Sequence, residues 1–92
     1  MSLLSDDEVA AFIEAHPAWS WADNAVSRTF EFSDFNGAMG FVTRVALAAE
    51  KANHHPDIDI RWNKVTVTLT THSAGGLTAR DLELADTIDH LP

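Results

Sequence analysis

Apolar and polar residues alternate along this chain in two rhythms, and the switches between them mark out its elements. Val9, Phe12, Ile13 and His16 recur at helical spacing, and Pro17 closes the run. In front of it Ser5 and Glu8 form a capping box, with Leu4 and Val9 placed as a hydrophobic staple. Trp19-Ser20-Trp21 then alternates, Asp23-Asn24 reads as a turn, and Val26 to Phe32 alternates again. These runs predict a hairpin with Phe30 and Phe32 on one face, Thr29 and Glu31 on the other.

Ser33 or Asp34 caps a long helix, whose predicted apolar stripe is Phe35, Met39, Val42, Ala46 and Ala49. Gly37 and Gly40 each cost about 1 kcal/mol against alanine in a helix interior, and are expected to mark close packing against a sheet. The helix should stop near Asn53, because Pro56 pushes His55 out of the α region. Ile58, Ile60 and Trp62 alternate with Asp57, Asp59 and Arg61, and Val65, Val67 and Leu69 with Thr66, Thr68 and Thr70. Gly75-Gly76 is the next break. Thr78 with Asp81, and Leu77 with Leu82, repeat the box and staple, and Leu84, Ile88 and Leu91 carry a last helix. The order is α-β-β-α-β-β-α, an α+β fold with an antiparallel sheet and helices packed on one face, expected to form a single domain over residues 1–92.

Asn63-Lys64 is the expected turn between the last two strands, since asparagine tolerates positive φ. That turn sets Trp62 opposite Val65, Ile60 opposite Val67 and Ile58 opposite Leu69, all on one face. Further along the other face it brings His55 opposite His72, with Cβ atoms about 5 Å apart. His54 falls just past the long helix, one turn beyond Glu50. A helix C-terminus and a carboxylate at that spacing both favour a cation. One environment suits an acid, the other a base.

Composition narrows the chemistry. Six basic against fourteen acidic residues give a net charge of −8, and the cations are scattered, whereas phosphate-backbone binding needs them clustered. Direct nucleic-acid binding is not expected. No cysteine is present, which removes disulfides, thiolate nucleophiles and cysteine-ligated metal centres. The acidic first residues look unlike a signal peptide, and no apolar run approaches the ~20 residues of a membrane helix. A cytoplasmic protein with no membrane partner is the expectation.

Blander readings stand beside these. His16 and His90 read as ordinary hydrogen-bonded residues, Asp81 as a helix cap and Trp62 as core. His54-His55 before a proline is equally the pattern of a solvated loop. A histidine cluster with Glu50 is also a metal-binding composition, although the spacing of two histidines one helical turn apart is missing.

The run Glu50-Lys51-Ala52-Asn53-His54-His55-Pro56, followed by Trp62, His72 and Asp81, resembles the signature of the pterin-4a-carbinolamine dehydratases. Asp34-Phe35, Phe41-Val42, Thr43-Arg44-Val45-Ala46-Leu47 and Asn63-Lys64-Val65 are similar too, so the resemblance covers nearly the whole chain. It implies a four-stranded antiparallel sheet with three helices and dehydration of a 4a-hydroxytetrahydropterin to the quinonoid dihydropterin, which recycles the cofactor of aromatic amino-acid hydroxylases. It places catalysis on His54, His55 and His72, with Glu50, Pro56, Trp62 and Asp81 binding substrate or supporting the site. It implies no metal or cofactor, and a homodimer or homotetramer. Small domains with uncovered sheet edges also favour self-association. The resemblance carries an alternative as well, a non-enzymatic coactivator or assembly partner on the same fold. Ile58 departs from the pattern, standing where the family usually carries an aromatic.

Overall fold

The computed structural model describes residues 2–92. Helix α1 (Asp6–Ala15) leads into strands β1 (Ser20–Ala22) and β2 (Ala25–Glu31). Helix α2 (Phe35–Ala52) follows, then strands β3 (Asp57–Arg61) and β4 (Lys64–Leu69), a short 3₁₀ turn (His72–Ala74) and helix α3 (Ala79–Asp89). The sheet order is β1-β2-β4-β3, and every neighbouring pair is antiparallel.

Local chemistry explains the boundaries. The Ser5 hydroxyl accepts the Glu8 N–H at 3.1 Å while the Glu8 carboxylate accepts the Ser5 N–H at 2.9 Å, the reciprocal box expected at α1. Asp23 and Asn24 both take positive φ, 53° and 64°, between the paired residues Ala22 and Ala25. Such left-handed pairs match the natural twist of a hairpin. Asp34 caps α2 by accepting the Gly37 N–H at 2.8 Å, and Asn53 ends it at φ 50°.

One face of the sheet is covered by all three helices. Val26, Phe30, Val65, Val67 and Leu69 point inward and are buried, as are Val9 and Phe12 of α1, Ala38, Phe41, Val45 and Ala49 of α2, and Leu84, Ala85 and Ile88 of α3. Burying each large side chain contributes about 1.5–3 kcal/mol. Arg28 shares the inward face of β2. Its guanidinium lies 4.2 Å above the Phe30 ring and donates at 2.7 Å to Asp89, which also accepts the Trp19 indole N–H at 2.9 Å. The opposite face carries paired hydroxyls, Ser27 with Thr68 and Thr29 with Thr66, at 2.9 and 2.8 Å.

Three sequence expectations are corrected. The buried stripe of α2 is Ala38, Phe41, Val45 and Ala49, whereas Phe35 is half exposed and Ala46 exposed. Apolar residues occupy more than one face of this helix, so spacing alone fitted two stripes and packing chose one. Gly40 does not meet the sheet: a Cβ there would touch only the Arg44 guanidinium, at 3.4 Å, while one at Gly37 would meet Asp34 and Phe32. The β3–β4 turn is Trp62-Asn63, so Arg61 pairs with Lys64, Ile60 with Val65 and Ile58 with Val67. Trp62 accepts φ 49° there. The compensation is tertiary. Asn63 donates its side-chain amide to the Phe32 carbonyl at 2.8 Å and accepts the Phe32 N–H at 2.9 Å, which pins it at the end of β2. The slip is two residues, so every side chain keeps its face.

Candidate active site

The residues before and after the last hairpin converge on one buried carboxylate. Asp81, in the first turn of α3, is fully buried. One oxygen accepts the Nε2–H of His54 at 2.5 Å. The other accepts the Thr78 N–H at 2.9 Å and the Thr71 hydroxyl at 2.8 Å, and the Thr78 hydroxyl lies 2.9 Å from that of Thr71. Since Thr71 gives its proton to the carboxylate, Thr78 donates in turn to Thr71. The side chain expected as a helix cap does that work through Thr78 N–H, and it also anchors a histidine.

His54 follows the left-handed Asn53, and its own N–H returns to the Ala49 carbonyl at 3.1 Å. Its ring is 11% exposed. With Nε2–H committed to Asp81, Nδ1 is the nitrogen that can exchange a proton. The carboxylate offsets the charge that appears on the ring whenever Nδ1 takes one up.

His55 and Glu50 are both exposed, and the His55 Nε2–H donates to the Glu50 carboxylate. This is a second His–carboxylate pair beside the buried one. His72 opens the 3₁₀ turn and is exposed. The loop that carries it is closed by the Thr71–Gly76 bridge, with Thr71 N–H on the Gly76 carbonyl at 3.0 Å. Thr71 therefore ties the backbone next to His72 to the same Asp81 that holds His54.

His55 does not stand opposite His72 across a strand pair, as the Asn63-Lys64 turn implied. Continued past Asp57, the observed register sets His55 level with Thr70, and His72 lies beyond β4. Pro56 is half-buried between His55 and β3. Trp62 is 65% exposed at the hairpin tip, seven residues from His55, which at roughly 3.3 Å per residue is about 23 Å of strand. Within one chain it stands at the far end of the hairpin from the histidines. Ile58 faces the core and is half-buried.

His16 and His90 are engaged elsewhere: His16 Nδ1 bonds the Phe12 carbonyl at 3.0 Å, and His90 Nδ1 that of Asp86 at 2.7 Å. Among the described residues no three His, Asp or Glu side chains are grouped to hold a metal ion. No described helix is long and apolar enough to cross a membrane. A cleft of about 370 Å³ opens beside His54 between α2 and α3, lined by Lys51, Arg80, Glu83 and Leu84 among others.

Sequence reasoning missed Thr71 and Arg80, and it found Thr78 only as the partner of Asp81 in the capping box. Thr71 did carry a signal. Val65, Val67 and Leu69 put position 71 on the buried face of the alternation, and a hydroxyl there requires a partner. The same parity brings Thr71 beneath α3.

Comparison with known proteins identifies the family and agrees with the fold. The family model described as pterin 4 alpha carbinolamine dehydratase matches residues 2–91. Relatives provisionally named pterin-4-alpha-carbinolamine dehydratases include one from Nocardia farcinica, 54% identical over 97% of this chain and 94% of its own. Another, from Chloroflexus aurantiacus, is 50% identical over 99% and 98%. A solved structure titled transcriptional coactivator/pterin dehydratase, from Brucella melitensis, superposes with a TM-score of 0.93 at 37% identity, covering 98% of both chains. A pterin dehydratase-like protein identified as a RuBisCO assembly factor in the alpha-carboxysome shares the fold, with a TM-score of 0.67 at 20% identity over 79% of this chain and 84% of its own. The chain belongs to the pterin-4-alpha-carbinolamine dehydratase family.

Proposed function

We propose that this protein dehydrates a 4a-hydroxytetrahydropterin to the quinonoid dihydropterin by histidine acid–base catalysis. The observation that carries the reading is the buried Asp81 fixing the Nε2–H of His54, with His55 next in sequence and His72 tethered to the same carboxylate through Thr71. In the reaction the C4a–O bond breaks, the leaving hydroxyl takes a proton and departs as water, and N5 loses its proton as C4a=N5 forms. A general acid and a general base suffice, each contributing about 10²–10⁴-fold. His54 serves as the acid through Nδ1, and His55 and His72 supply the base and the orienting group. Glu50 positions His55, as Asp81 positions His54. The chemistry needs no metal or cofactor, and its product would feed an aromatic amino-acid hydroxylase cycle in the cytoplasm. Stopped-flow measurement with a synthetic carbinolamine tests the reading, and a rate no faster than the uncatalysed dehydration would refute it.

A second reading is a non-enzymatic coactivator or assembly partner on the same fold, since one solved relative is named a transcriptional coactivator/pterin dehydratase and another a RuBisCO assembly factor. In this chain it is favoured by exposed apolar side chains, Leu47 (68%), Trp62 (65%) and Phe35 (51%), and by the uncovered edge of β3. The same features support a homodimer or homotetramer.

A further inference from the structure

The last carbonyls of a helix have no partners within it, and those of α2 immediately precede His54. Arg80 supplies partners from across the cleft. Its Nη2 donates to the Asn53 carbonyl at 2.8 Å and to the Ala52 carbonyl at 3.1 Å. A cation at a helix C-terminus is also favoured by the helix dipole. Arg80 and Asp81 are consecutive in the first turn of α3, so one short stretch grips His54 twice: Arg80 holds the main chain leading into it, and Asp81 holds its ring at 2.5 Å. The third restraint is the His54 N–H on the Ala49 carbonyl at 3.1 Å.

From this geometry we infer that Arg80 is a positioning residue for His54. It sets where Nδ1 stands by clamping the left-handed turn at Asn53. The inference rests on the dehydratase reading for its kinetic consequence, but the clamp itself does not.

The need for such a clamp follows from the local backbone. Asn53 leaves the helix at φ 50°, and the next two residues must satisfy Asp81 on one side and Glu50 on the other. Without Arg80 the turn keeps only its bonds back into α2, and the ring can rotate about a looser pivot. A displacement of about 1 Å at a catalytic group costs about 10²-fold in rate. With its Nη2 engaged by the Ala52 and Asn53 carbonyls, Arg80 acts through His54, so its loss should act on turnover and leave substrate affinity almost unchanged.

The experiment compares the parent with Arg80→Ala, Arg80→Gln and Arg80→Lys, all assayed well below their melting temperatures. Steady-state dehydratase kinetics are read together with the deshielded proton resonance of the His54–Asp81 hydrogen bond. Arg80→Ala and Arg80→Gln should lower kcat about tenfold or more with KM within about twofold, and broaden or shift that resonance. Arg80→Lys should restore most of both, because a single nitrogen makes both observed bonds and an ammonium can do the same. Parent-like kcat and resonance in folded Arg80→Ala or Arg80→Gln would overturn the inference, even if stability fell. Were the parent to lack dehydratase activity, the function reading would fail while the resonance still decided for or against the clamp.

Discussion

His54 and Asp81 are joined at 2.5 Å although one ends the α2 segment and the other opens α3, 27 residues later. The carboxylate is fully buried and the imidazole almost so, an arrangement of the kind by which carboxylate–histidine pairs orient a ring for proton transfer in known enzymes. Replacing Asp81 by Asn keeps the shape, but the amide group must now be shared among three former donors. Asp81→Asn should reduce kcat by about 10²-fold or more. Asp81→Ala would also strand Thr71, Thr78 and His54, costing about 2–4 kcal/mol in urea unfolding. That exceeds the loss of about 1 kcal/mol expected of a simple cap.

His72 offers the contrasting case. It is exposed on the 3₁₀ turn, so His72→Ala should leave stability within about 0.5 kcal/mol. Activity should fall by about 10²-fold. Unchanged kcat/KM in the mutant would remove His72 from the catalytic set.

Trp62 holds φ 49° at the hairpin tip while 65% exposed. A left-handed conformation costs a non-glycine residue roughly 1–2 kcal/mol, and asparagine bears it more readily. Trp62→Asn should therefore raise stability by about 0.5–1 kcal/mol, read as a higher denaturant midpoint with an unchanged m-value. A lower midpoint would show that the indole is buried in an assembly.

The capping box sets a pH dependence. The Ser5 backbone N–H, and after it the Ser5 hydroxyl, hold the Glu8 carboxyl below its ordinary 4.5. The folded state thus favours the ionised form, and its stabilisation is complete above 4.5 and disappears as pH falls through the lowered value. Thermal melts should show Glu8→Gln less stable than the parent at neutral pH, with the gap closing across that acid window. A gap independent of pH would refute the assignment.

Self-association is expected from the edge of β3 and the exposed Leu47, Trp62 and Phe35. Light scattering at micromolar concentration without ligand should give a mass of at least twice the 10.1 kDa chain. A monomer mass would count equally against the assembly-partner reading.

The sequence by itself determined the order of elements, because each boundary is written in local chemistry. Ser5 with Glu8, the paired turn residues Asp23 and Asn24, Asp34 before α2 and Asn53 after it act within a few residues, and all take the predicted roles. Strand faces were equally legible, since side chains alternate with period two whatever the register. The choice between two turns was not. Asn63-Lys64 and Trp62-Asn63 differ locally in favour of the first, and the contact of Asn63 with Phe32, 31 residues away, decided for the second. Tertiary structure likewise decided which stripe of α2 is buried. It also gave Asp81 its second role: a carboxylate three residues after Thr78 reads as a cap, and only the packing of α3 against the end of α2 brings it to His54. Capping energies are set by neighbours in sequence, whereas register, burial and the convergence of His54, Thr71 and Asp81 are set by residues that meet only when the chain has folded.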